Sequence, residues 1–194
     1  QLYPAVTLKI LMPAALISMP IGATIPPGGC TIVVTLTSST PGLVTNTTSV
    51  LQTAAGIAPP ASAPLTVTAV NAPLTKSIVP GTISPRGLAT LTLTLGNANA
   101  AVLTLTAPFT DPMPTGISTF GGNTGSCTGV TVAPALITMA TGSTIPPGGC
   151  TIVVAITSAS PGNYINITSA LQTGAGTAPA ASAPLSVGVV PVPV

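Results

Sequence analysis

Leu88-Ala89-Thr90-Leu91-Thr92-Leu93-Thr94-Leu95 alternates apolar and hydroxyl-bearing residues without a break. Successive side chains of a strand point to opposite faces, so this run reads as a strand with its leucines on a buried face and its threonines on the other. Ala101 to Thr106, AVLTLT, has the same pattern. Further strands are expected at 74–79, 129–132, 135–139, 150–158, 163–168 and 183–190. Val, Ile and Thr suit such half-buried pleated surfaces. Gly96-Asn97, Gly121-Gly122, Pro147-Gly148-Gly149 and Pro161-Gly162 punctuate them as turns. Seven or eight short strands at this spacing predict an all-β sandwich.

The chain also repeats itself. Residues 15–67 match residues 135–187. Ile25 to Val34, IPPGGCTIVV, recurs unchanged from Ile145 to Val154. Pro41-Gly42 answers to Pro161-Gly162, and Asn46 to Asn166. Leu51-Gln52-Thr53 recurs as Leu171-Gln172-Thr173, and Ala61 to Leu65 as Ala181 to Leu185. A fixed long period marks tandem units. The second copy, residues 71–194, is read as complete. The first, residues 1–70, is read as truncated, without the opening strands of its partner. A sandwich lacking strands leaves apolar core and backbone groups uncovered, so either another chain or an omitted part of a longer polypeptide must cover it, and strands from a neighbouring chain are the expectation. Val6, Leu8 and Ile10 form one apolar face of a candidate donor strand; the Val189 to Val194 tail, with Pro191 and Pro193, is a poorer one.

Charge removes several classes of function. Only 2% of the 194 residues are charged: Lys9, Lys76, Arg86 and Asp111. Without a basic patch, nucleic acid is not an expected partner. Without His or Glu, and with one Asp, neither a general acid–base pair nor an activated serine can be assembled within the chain, so no enzyme activity is expected. No phosphate-cradling Gly-rich loop ends in Lys-Ser or Lys-Thr, and no cofactor is expected. The most apolar stretch, Ile10 to Ile21, is cut by Pro13 and Pro20, which excludes a transmembrane helix there.

Several ordered motifs carry a family resemblance. They are Lys76-Ser77 with Pro80, the Leu91 to Asn97 run, and Phe109-Thr110-Asp111-Pro112-Met113-Pro114-Thr115-Gly116. Cys127, Ile145 to Cys150, and Pro161-Gly162-Asn163-Tyr164-Ile165-Asn166 follow. The sequence resembles a repeat domain of large bacterial cell-surface proteins known only as a domain of unknown function. The resemblance covers the second copy and the back half of the first. It implies tandem immunoglobulin-like sandwiches, used in stalks and surface arrays, and no catalysis. Such repeats ordinarily carry more acidic residues; the low charge here favours a packed assembly.

Four sets of residues stand out. Cys127 and Cys150 are expected to form a disulfide in a secreted setting, the alternative being free buried thiols. Cys30 matches Cys150, but Thr7 stands where Cys127 would be, so Cys30 is expected to be free or paired outside the chain. Three cysteines without His make no zinc site, and no metal is expected. Asn46-Thr47-Thr48 and Asn166-Ile167-Thr168 are glycosylation sequons, although this Asn also reads as a motif residue serving a turn or a backbone contact. Lys76, Asp111 and Asn166 offer a sharper idea, because some bacterial surface sandwiches form a Lys–Asn isopeptide bond assisted by a buried carboxylate. The alternative is a solvated Lys76, with Asp111 capping a turn near Pro112.

These readings lead to a structural subunit of an extracellular filament, pilus-like fibre or sheath, whose partners are copies of itself, with contacts to a surface or matrix. The competing expectation is a stalk or adhesin repeat module of a large cell-surface protein. Aromatic anchors for binding are few: Tyr3, Tyr164, Phe109 and Phe120.

Overall fold

The computed structural model describes residues 6–9, 16–36, 38 and 40–188, and the chain divides into two units, Gln1–Thr68 and Ala69–Val194. Unit 1 holds β1 (Val6–Lys9), β2 (Ile32–Thr35), β3 (Gly42–Thr47), β4 (Leu51–Thr53), β5 (Gly56–Ala58) and β6 (Ser62–Val67). Unit 2 opens with β7 (Leu74–Val79), β8 (Thr82–Ile83), β9 (Leu88–Leu95), β10 (Leu103–Thr104) and β11 (Phe109–Pro112). It continues with β12 (Ile117–Phe120), β13 (Val130–Ala133), β14 (Leu136–Met139), β15 (Thr144–Ile145) and β16 (Cys150–Ser158). It closes with β17 (Gly162–Ile167), β18 (Leu171–Thr173), β19 (Gly176–Ala178) and β20 (Ser182–Val187). Every regular element among the described residues is a strand, so the all-β expectation holds.

The LATLTLTL run is β9, inside a four-stranded sheet of order β12-β16-β9-β7. Both of its neighbours run antiparallel to it. Register places Leu91 opposite Val154, Leu93 opposite Ile152 and Leu95 opposite Cys150. These residues are buried, whereas Thr92 between them is half-buried and Thr94 exposed. The alternation thus builds one wall of a single core. Ile137 and Met139 of β14, Phe109 of β11, Leu171 of β18 and Leu185 of β20 pack into that core from the other sheets. Those sheets have the orders β11-β14-β13, β17-β20-β8 and β18-β19.

Two expectations need correction. Residues 101–106 do not form one strand; only Leu103 and Thr104 pair regularly, with β15. The chain there changes partner residue by residue. The Leu105 N–H donates to Ser143 O, the Thr106 N–H to Gln172 O, and Leu105 bridges Thr173. Alternation alone cannot sustain a strand when the neighbouring backbone changes at each step. Conversely, β11 and β12 were not expected, because Pro112 and Gly116 hide their short periodicity. Pro112 is tolerated at the last position of β11, where the missing donor matters least.

The IPPGG turn shows local sequence overriding context. The Gly149 N–H donates to Pro146 O at 2.9 Å, and the Gly29 N–H donates to Pro26 O at 2.9 Å. Gly149 has a φ of 88°, and a Cβ there would collide with the Leu95 carbonyl oxygen, so no other residue fits.

Unit 1 reproduces the hairpins of unit 2 but not their burial. β3 pairs with β6, placing Asn46 opposite Ala63, as β17 pairs with β20 and places Asn166 opposite Ala183. The clasp from the Ala181 N–H to Thr168 Oγ1 has its counterpart from the Ala61 N–H to Thr48 Oγ1. Ile145, Ile152, Leu171 and Leu185 are at most 2% exposed, yet their repeat counterparts Ile25, Ile32, Leu51 and Leu65 are 39–46% exposed.

The candidate donor strand also behaves differently from expectation. Val6–Lys9 lies in parallel register on Ile32–Thr35 of its own chain, with Val6 opposite Ile32 and Leu8 opposite Val34. β2 corresponds to the middle of β16, which has a neighbour on each side. An unpaired β2 edge attracts the nearest strand available. Ile10 and the Val189 to Val194 tail lie outside the described residues.

Candidate functional site: a buried amine, acid and amide

Cys127 and Cys150 are bonded, with Cα atoms 4.9 Å apart. The bond fixes the loop before β13 to the start of β16. Backbone bonds extend the same attachment, from the Cys127 N–H to Thr151 O and from the Thr124 N–H to Val153 O. Asn123 Oδ1 accepts from the N–H groups of Gly125 and Val153. Replacing both cysteines by serine is expected to cost about 2–4 kcal/mol, read as a lower denaturation midpoint. Cys30 is exposed and outside any disulfide in this chain.

The polar feature of the core lies elsewhere. On β7, Leu74, Lys76 and Ile78 share the inward face by alternation, and Lys76 sits opposite Leu93. On β11, Phe109 and Asp111 turn inward, with Asp111 opposite Ile137. On β17, Asn166 is the buried residue between exposed Ile165 and Ile167. Three strands from three sheets therefore aim an amine, an acid and an amide into one interior.

They meet there. Lys76 Nζ donates to Asp111 Oδ1 at 2.6 Å, and both side chains are fully removed from solvent. Asn166 Nδ2 donates to the same Oδ1 at 2.9 Å and to Pro112 O at 2.8 Å. Asp111 Oδ2 and Asn166 Oδ1 have no hydrogen-bonding partner. β11 is tied to the segment after β17 by two further bonds. The Ser169 N–H donates to Thr110 O at 2.7 Å, and the Thr110 N–H donates to Ser169 Oγ at 2.9 Å. This clasp fixes Asn166 relative to Asp111.

Burial governs the electrostatics. It pushes the Asp111 carboxyl up from its ordinary range, against the hydrogen bond and charge of Lys76 and the hydrogen bond of Asn166. It drives the Lys76 ammonium down, against the hydrogen bond and charge of Asp111. Both shifts move the pair away from the ion pair and towards the neutral amine and carboxylic acid. A neutral amine is a nucleophile, and a neutral carboxyl can donate a proton.

The structure thus brings Lys76, Asp111 and Asn166 together, and neither a solvated Lys76 nor a turn-capping Asp111 describes them. The Pro112 carbonyl completes the cluster and was not foreseen. Its only sequence signal is its place next to Asp111 in the Phe109-Thr110-Asp111-Pro112 phrase. Asn166 Nδ2, the atom that would carry a sugar, is buried and donates two hydrogen bonds. Asn46, its repeat counterpart, is exposed.

An all-β, disulfide-bonded chain with a polar cluster locked in its core is the class that these observations define. Residues 73–187 match the family described as "Domain of unknown function (DUF7933)", and the chain belongs to that family. The match spans unit 2 from β7 to the end of β20. No curated protein matches the sequence. Among solved structures, the chain is similar to BslA, a bacterial hydrophobin, at 12% identity and a TM-score of 0.43, over 65% of this chain and all of that one. It is also similar to part of a GH20 exo-β-N-acetylglucosaminidase from Vibrio harveyi, at 12% identity and a TM-score of 0.32, over 64% of this chain and 19% of that one. Neither overlap decides a function or a topology for this chain.

Proposed function

We propose that this protein is a structural subunit of an extracellular filament or sheath, built from immunoglobulin-like sandwich repeats and joined to copies of itself. The observation that carries this reading is the bare face of unit 1. Ile25, Ile32, Leu51 and Leu65 stand exposed there, while their counterparts in unit 2 lie in the core. Side chains selected for burial are thereby offered to a partner strand. Exchange would have to displace β1 from β2 of its own chain. That pairing is a short parallel two-stranded ladder, and parallel pairs and isolated two-stranded ribbons are weak. A strand from a neighbouring copy would add the antiparallel contacts that β9 makes to β16. The near-absence of charge removes the repulsion that keeps subunits apart. The disulfide suits an oxidising, extracellular setting.

The second reading is a stalk or adhesin repeat of a large bacterial surface protein. The tandem recurrence of the second half of the family domain in unit 1 favours it, since surface arrays are built by such duplication. Electron microscopy of the purified chain separates the two. Fibres or sheets are expected; monodisperse monomers at high concentration would overturn the filament. A complete gene encoding many further repeats would favour the stalk.

A further inference from the structure

The geometry points to a covalent bond: Lys76 Nζ is joined to Asn166 Cγ as an intramolecular amide, formed by the folded domain itself with Asp111 as proton carrier. This inference does not depend on whether the chains polymerise, because all three residues belong to unit 2.

Three observations carry it. First, Lys76 Nζ and Asn166 Nδ2 touch the same oxygen, Asp111 Oδ1, so the amine cannot be farther from the amide nitrogen than the sum of two hydrogen bonds. Anchoring both reactants on one acid holds them beside each other, the arrangement that lowers the barrier once Nζ reaches Cγ. Second, Asp111 is the only side-chain acid in the sequence, yet it is fully buried beside one of three basic residues. In a chain almost empty of charge, an ion pair in the core stabilises little relative to an apolar pair. Chemistry gives it a purpose that packing does not. Third, the two buried oxygens without partners, Asp111 Oδ2 and Asn166 Oδ1, belong to the groups that the reaction uses. The bond from Asn166 Nδ2 to Asp111 Oδ1 sets the acid beside the leaving nitrogen.

The step balances without an outside reagent. A proton passes from Lys76 Nζ to Asp111, leaving an amine and a carboxylic acid. The Nζ lone pair attacks Asn166 Cγ, and the carbonyl π pair moves to Oδ1. Asp111 delivers its proton to Nδ2 and takes the surplus proton from Nζ in its place. The Cγ–Nδ2 bond breaks and ammonia leaves. The new Cγ–Nζ amide remains, and Asp111 ends in the protonation state in which it began the attack. No oxidant, metal or nucleotide is required. The Lys76 and Asp111 side chains are fully removed from solvent and Asn166 is 3% exposed, which disfavours competing hydrolysis of the side-chain amide.

Mass spectrometry of the full chain tests this. Lys9, Lys76 and Arg86 are the only tryptic sites. After reduction and digestion, the bonded protein yields residues 10–86, uncut after Lys76, branched to residues 87–194. The intact mass falls short of the disulfide-bonded sequence by one ammonia. Cyclisation of Gln1 also releases ammonia, but its deficit stays in the peptide 1–9 and leaves no branch. The variants Asn166→Ala and Asp111→Asn, checked for folding by circular dichroism, are expected to release 10–76, 77–86 and 87–194 separately. Recovery of those separate peptides from the wild-type protein would overturn the bond. A branched peptide persisting in Asp111→Asn would overturn the role of the acid.

Discussion

Ile152→Ala should destabilise unit 2 by about 2–5 kcal/mol, whereas Ile32→Ala in the isolated chain should change stability by about 0.5 kcal/mol or less. The two isoleucines occupy the same position of the same ten-residue sequence. Ile152 is fully buried on the core face of β16, between Leu93 and the opposing sheets, while Ile32 is 46% exposed on β2. Truncation at Ile152 removes transfer free energy and leaves a cavity that a close-packed core cannot fully close. Truncation at Ile32 removes a side chain that water already reaches. Denaturant titration of both variants provides the comparison, at unchanged slope. If unit 1 is covered in the assembled state, Ile32→Ala should weaken assembly while sparing the monomer, so the critical concentration for fibre formation rises. Equal costs in the monomer would mean that the unit 1 face is already covered there, and the argument for a partner strand would fall.

The matched pair also shows what was legible in the sequence. Alternation in β9 and β16 specifies which residues face inward, because a strand has only two faces and the apolar set lies on one of them. The IPPGG turn and the β3–β6 and β17–β20 hairpins are legible for the same reason: glycine conformation and short-range register are local. Burial is not local. Identical segments in the two units form the same hairpins, yet one set of side chains is covered and the other is not. The cluster of Lys76, Asp111 and Asn166 lies between these limits. Lys76 can be placed on an inward face from Leu74 and Ile78, and the scarcity of charge draws attention to it. That β7, β11 and β17 bring their polar residues to one point depends on how three sheets pack, which no periodicity encodes. The sequon at Asn166 misleads because a three-residue pattern carries no information about depth.

Lys76→Met is expected to lower the stability of unit 2 by at least about 3–5 kcal/mol, a loss large for one substitution. Methionine fills most of the space of the lysine stem, so a cavity is not the principal cause. Two others act in the same direction. The substitution leaves Asp111 buried with Asn166 as its only hydrogen-bond donor, and a buried acid without its cation costs free energy even when it is protonated. It also removes the covalent tie between β7 and β17. By analogy with disulfide closure of a loop of about 100 residues, that constraint is worth about 4–5 kcal/mol in chain entropy. The denaturant slope separates these causes. A tie persisting in the denatured chain keeps it compact, so losing the tie exposes more surface on unfolding and steepens the slope. Loss of an ion pair alone leaves the slope unchanged. Asp111→Asn, which keeps the volume of the acid but cannot carry the proton, should steepen the slope as Lys76→Met does. A lower midpoint at constant slope in both variants would reduce the cluster to a buried ion pair and remove the covalent bond from the account of how unit 2 is held together.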